Sequence, residues 1–174
     1  SVSATVSTSV VNSPPYWIMS PSITGNAFAG DILSCDAEAL DLNDGIPSYQ
    51  FVWTLNDGTI LSSTSEWMVD TAIAQPQETV TCTVTALDTD GASISDTTTI
   101  AIENTVPTAI ASHIPTIAYT DSTIETTTQY FDVDPTQTII GNLEWHVVNA
   151  LTSSDNVVQT GTTTTLEGNH FSKD

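Results

Sequence analysis

The sequence predicts an all-β chain built from sandwich repeats, and three observations carry that reading. The first is strict alternation: within Glu78–Gly91, Val80, Cys82, Val84 and Ala86 share one parity while Thr79, Thr81, Thr83 and Thr85 share the other. That is the period of a strand with one buried face. The second is punctuation, since Asn56-Asp57-Gly58 and Asp88-Thr89-Asp90-Gly91 are turn sequences of the kind that join antiparallel neighbours. The third is recurrence at a spacing of 92, seen in Trp53 and Trp145, Asn12 and Asn104, and Pro15 and Pro107, which is close to the size of one small sandwich domain.

Taken along the chain, residues 1–13 are expected to be the last strand of a preceding repeat or a free arm, because 1–10 falls in the same phase as 94–102. Residues 14–104 are expected to form one complete domain. In it, Asp31–Leu40 turns Leu33, Cys35, Ala37 and Ala39 inward, and Tyr49–Leu55 turns Tyr49, Phe51, Trp53 and Leu55 inward. The run around Cys82 follows, and 94–103 closes a hairpin with it, with Ile94, Ile100 and Ile102 on one parity. Residues 105–174 are expected to be a second, truncated domain without cysteine, with strands near 126–133, 143–149, 157–160 and 163–167. A sandwich short of strands leaves open edges, and open edges invite pairing. Two readings follow: Val2–Val10 adds to the truncated domain of the same or another copy by strand exchange, or the ends pack as they can. Neighbouring repeats of the same parent chain are the other expected partners.

Cys35, Trp53 and Cys82, each on a separate short strand, resemble the pattern of an immunoglobulin-type sandwich, where a disulfide joins the two sheets and the indole lies against it. The resemblance implies a Cys35–Cys82 bridge. The alternative is a pair of reduced core cysteines, because free cysteine is among the most buried residue types. Trp53–Gly58 taken with Glu78–Asp88 also resembles the bacterial immunoglobulin-like repeats and the PKD repeats of large secreted or surface proteins. The PKD repeats carry a Trp-Asp-Phe-Gly-Asp-Gly turn and a Val-Thr-Leu-Thr-Val-Thr-Asp strand. Here Asn56 stands in place of a glycine, and Val80 stands where antibody domains place a tyrosine. The resemblance implies tandem immunoglobulin-like β-sandwich repeats of an extracellular or cell-surface protein, and it carries no catalytic residue with it.

Composition narrows the partners. One Lys and no Arg stand against 21 acidic residues, a net charge of −20, which excludes binding to a phosphate backbone by ordinary electrostatics. The 39 % hydrophobic content with four Trp is enough to fill cores, unlike a disordered acidic tail. No apolar run approaches the ~20 residues of a membrane span. A disulfide implies an oxidising compartment. Self-repulsion among carboxylates implies a fold helped by salt. The only Lys is Lys173, so no Lys–Asn isopeptide bond is available to the domain at 14–104.

Candidate sites follow from the loops. In an immunoglobulin sandwich the loop after the first cysteine strand and the hairpin after the second share the pole where the chain comes in. Asp41, Asn43, Asp44, Asp88 and Asp90 are therefore expected to cluster beside Pro14-Pro15, an oxygen-rich set suited to calcium, which takes six to eight oxygens in flexible geometry. Asp132 and Asp134 hold the corresponding place in the second domain. The plainer reading of the same residues is turn chemistry. Tyr16 and Trp17, following Pro14-Pro15, are candidates for stacking on a polysaccharide or other surface ligand, as in a carbohydrate-binding module appended to an extracellular enzyme. Equally they plug the junction between repeats. Trp53, Trp67 and Trp145 are expected in cores. His113 falls in a linker, His146 beside Trp145 and His170 near the end, with no Gly-x-Ser-x-Gly motif and no zinc spacing. The expected function is a non-catalytic structural or adhesive repeat module.

Overall fold

In the computed structural model, residues 2–148 and 152–168 are described, and the chain divides into two compact units, Ser1–Thr105 and Val106–Asp174. The described residues are all-β, with antiparallel pairing throughout and no α-helix. The boundary falls one residue after the expected 104, and the N-terminal arm is grouped with the first unit.

The first unit contains β1 (Tyr16–Thr24), β2 (Ile32–Leu40), β3 (Ser48–Leu55), β4 (Ile60–Ser62), β5 (Glu66–Met68), β6 (Thr79–Leu87) and β7 (Ser93–Ala101). One sheet has the order β1-β2-β5 and the other β4-β3-β6-β7. Alternation explains β6 fully: Val80, Cys82, Val84 and Ala86 are buried while the threonines between them are half-buried. The β-branched residues suit a pleated, half-buried surface. Its partner β7 pairs in unbroken register from Thr79↔Ala101 to Leu87↔Ser93, as the Asp-Thr-Asp-Gly turn requires. At the β1–β2 connection Gly25 has φ +111°, and a Cβ there would run into the Ile32 carbonyl, so only glycine fits.

The two sheets share one core, giving a sandwich-like unit. Leu33, Cys35 and Trp67 reach into it from the first sheet, and Trp53, Val80, Cys82 and Val84 from the second. Cys35 and Cys82 are disulfide-bonded across it, with their Cα atoms 6.6 Å apart. Trp53 is completely buried. It pairs across from Cys82, stacks obliquely on Trp67 at 6.2 Å between ring centroids, and donates its Nε1–H to the Thr64 carbonyl at 3.0 Å. That bond satisfies the one polar atom of the indole, so its large apolar surface is buried without an orphaned donor.

The second unit contains β8 (Thr108–Ile114), β9 (Thr123–Phe131), β10 (Leu143–Val148), β11 (Asp155–Gly161) and β12 (Thr165–Glu167). β8-β9-β12 form one sheet and β10-β11 the other. Leu166 is buried opposite Ile124, and Thr126 is buried with its hydroxyl donating to the Ser112 carbonyl at 2.6 Å.

Several expectations need correction. Val2–Val10 forms no strand and is fully exposed, so within one chain the arm does not add to the second unit. Its Ser and Thr positions leave too little apolar surface to hold it in place without a partner strand. His113 lies in β8 and not in a linker. Trp145 is half-buried and not a core residue, because β10 has β11 on one edge and, among the described residues, no counterpart of β6 on the other. The end of the strand expected at 143–149 and residues His170 and Lys173 lie outside the described residues.

Candidate functional site

The disulfide dictates where the first unit gathers its aspartates. Asp41 lies six residues beyond Cys35 and Asp88 six beyond Cys82. Both are on the inward parity of their strands, and both strands run from the bridge to the same pole. Asp41 begins a tight loop closed by reciprocal backbone bonds with Gly45 at 2.8 and 3.0 Å, with Gly45 at φ +85°. Asp88 begins the β6–β7 turn, closed by its N–H to the Ala92 carbonyl at 3.0 Å. Asp41, Asp44 and Asp88 each bring a carboxylate oxygen within 4.8 Å of the other two.

The first and last of these carboxylates are oriented in the same way. Oδ1 of Asp41 accepts the backbone N–H groups of Asn43 at 2.8 Å and Asp44 at 3.2 Å. Oδ1 of Asp88 accepts those of Asp90 at 3.0 Å and Ala92 at 2.8 Å. The Asp44 side chain is exposed and its Oδ2 accepts the Thr89 hydroxyl at 3.0 Å. Asp41 is only 2 % exposed, and its Oδ2 is buried without a hydrogen-bond partner.

The arm is fastened to this same pole. Asn12 donates Nδ2–H to Asp88 Oδ2 at 2.8 Å, and its Oδ1 accepts from Asn43 Nδ2 at 2.8 Å. The Ser13 hydroxyl donates to Asn43 Oδ1 at 2.6 Å. The Asn12 hydrogen bond is the main reason the Asp88 carboxyl titrates below its ordinary 3.8. The amides of Ala92, Gly91 and Asp90 add to it against an opposing desolvation.

Of the five residues expected to cluster, three therefore come together. Asn43 turns its side chain to the arm, and Asp90 is exposed and contributes its backbone N–H to Asp88. Asn12 and Ser13 were not anticipated, because side-chain bonds spanning 76 and 30 residues leave no periodic trace in a sequence. Asp132 and Asp134 of the second unit are linked by Asp134 N–H donating to Asp132 Oδ1 at 2.9 Å, and Asp134 is fully buried.

Tyr16 and Trp17 are consecutive on β1 and present opposite faces of the strand. Trp17 packs against the core, while Tyr16 is 43 % exposed on the outer face. They do not form one flat platform. In the second unit His146 is held between two carboxylates, Nδ1 at 2.9 Å from Asp155 and Nε2 at 3.4 Å from Glu144. Those hydrogen bonds, that to Asp155 foremost, raise its pKa above 6.5. With both ring nitrogens engaged by acids, it is arranged to carry a proton. No protein-family model matches the chain, and no curated protein matches it.

Proposed function

We propose that the chain is a non-catalytic structural module of a large extracellular or cell-surface protein, composed of tandem immunoglobulin-like β-sandwich repeats of about 92 residues. The observation that carries the reading is the recurrence of one strand plan. The sheet β1-β2-β5 is matched by β8-β9-β12, and β3-β4 by β10-β11. Detailed contacts recur with it: Trp53 and Trp145 both donate Nε1–H to a threonine carbonyl just before the next short strand, Thr64 and Thr163. Leu33↔Trp67 is matched by Ile124↔Leu166. Thr126 takes the place of Cys35, each donating its N–H to the residue ahead of that strand. The disulfide and the acidic surface favour an extracellular setting, and contacts with neighbouring repeats, exchange of strands between copies and an adhesive role belong to this reading.

Mechanical extension of the full chain tests it. A spacer unit with Cys35 bridged to Cys82 resists force as one body and releases a shorter length than after reduction. The difference is about 160 Å, the contour of the locked loop at roughly 3.4 Å per residue. Extension without a discrete, reduction-sensitive step overturns the spacer reading. Saturable retention on an insoluble polysaccharide, lost in Tyr16→Ala, replaces it with a carbohydrate-binding module.

A further inference from the structure

We propose that Asp41, Asp44 and Asp88 form a site for a divalent cation of the calcium class at the pole where the arm joins the first unit. Oxygens bound to one Ca²⁺ at about 2.4 Å lie no more than about 4.8 Å apart, and these three carboxylates meet that condition. Proximity of acids alone is common on protein surfaces. What sets this cluster apart is Asp41, whose Oδ2 is buried with no partner in a side chain only 2 % exposed. A buried carboxylate oxygen without a donor is costly unless a proton, a paired charge or a metal meets it.

No basic side chain is available in the first unit. Residues 1–105 contain thirteen acidic residues and not one Lys, Arg or His, so no basic side chain of the first unit pairs with Asp41. The donors are also prepared for a cation. Backbone amides already hold Oδ1 of Asp41 and of Asp88, which fixes each carboxylate, and at Asp41 Oδ2 is left without a partner. Asp44 Oδ2 and Asp88 Oδ2 each accept a single hydrogen bond and keep lone-pair capacity. An all-oxygen set on two loops suits the long, flexible bonds of Ca²⁺, with water completing the shell, in preference to zinc or copper. Because Asp88 also holds Asn12, cation binding is coupled to fastening of the arm. The inference stands whether or not the chain is a spacer.

Thermal unfolding and calorimetric titration of the full chain test it, with chelated protein at constant ionic strength in sodium chloride, titrated with calcium chloride. The expected result is a saturable rise in Tm with half-saturation on the order of 10⁻⁴–10⁻³ M, the range of extracellular modules. Asp41→Asn and Asp44→Asn weaken it on the order of tenfold or more, while Asp90→Asn, outside the triad, leaves it unchanged. Asp44→Asn decides the matter if Asp41→Asn fails to fold, because the Asp44 side chain is exposed and outside the core. No calcium response beyond that of sodium at equal ionic strength overturns the proposal. So does an equal response in Asp44→Asn and the parent chain.

Discussion

Asp88 shows how much one side chain at the end of a strand is asked to do. It closes the β6–β7 turn through Oδ1 and holds the arm through Oδ2. Its carboxyl titrates below 3.8, with the Asn12 hydrogen bond as the largest cause. A depressed folded-state pKa contributes stability that is present above the unfolded value and is lost as pH falls through the folded one. Asn12→Ala brings the Asp88 pKa back toward 3.8. The parent chain is therefore expected to exceed Asn12→Ala in stability at about pH 7, with the gap shrinking as pH falls from about 4 toward about 2 and Asp88 takes up its proton. Urea denaturation at the two pH values measures this. A gap that stays constant would assign the effect of Asn12 to something other than the ionised Asp88. Half of this residue's role was legible beforehand. The meeting of Asp41 and Asp88 at one pole is legible from the sandwich plan, while their burial, which follows the inward parities of Cys35 and Cys82, is read from the structure. Asp90 shares that parity, yet it falls past the reversal of the chain, where parity no longer maps to a face.

At the level of elements, strands with strong alternation were legible and those without it were not. β6 and β3 announce themselves through Val, Cys, Phe and Trp at every second position. β8 is exposed at every residue, so no buried face imprints a period on Thr108–Ile114, and the sequence around His113 reads as linker. β1 carries register shifts at 17–19 and 19–22, which break its period. The free arm shows the converse: 2–10 alternates Val and Ala with Ser and Thr much as β7 does, but a pattern does not make a strand where no neighbour pairs with it. The strongest fastening between elements is covalent, and it joins β2 to β6 across a sequence separation of 47. Closing a loop of that length restricts the unfolded chain by about 4 kcal/mol in the loop-entropy account. Replacing both cysteines by Ala is expected to lower the unfolding free energy of the first unit by about that amount, read from urea denaturation under non-reducing conditions. A loss below about 1 kcal/mol would mean that the unfolded state is already compact or that the paired sheets relax to fill the gap.

Across the whole molecule the governing quantity is charge without counter-charge. A surface salt bridge contributes little in most proteins, so few basic residues would matter little if the acids were few. Here thirteen acidic residues share a unit of 105 residues with no Lys, Arg or His. A domain of that size has a radius of gyration of about 13 Å. The screening length is about 30 Å at 0.01 M salt, about 10 Å at 0.1 M and about 3 Å at 1 M. At the lowest of these every carboxylate of the unit repels every other, and at the highest only immediate neighbours interact. Stability is therefore expected to climb steeply with sodium chloride between about 0.01 and 0.2 M and then to level off. Relief of 1 kcal/mol corresponds to a rise of roughly 4–8 °C in Tm for a domain of this size. Scanning Tm against sodium chloride, with potassium chloride as a second monovalent salt, measures it. Coincident curves in the two salts identify screening, because screening depends on ionic strength and not on which monovalent cation provides it. A flat or falling Tm would mean that the carboxylates are spaced so that their repulsion is already negligible in the folded state. It would also remove the electrostatic reason for expecting a fold helped by salt.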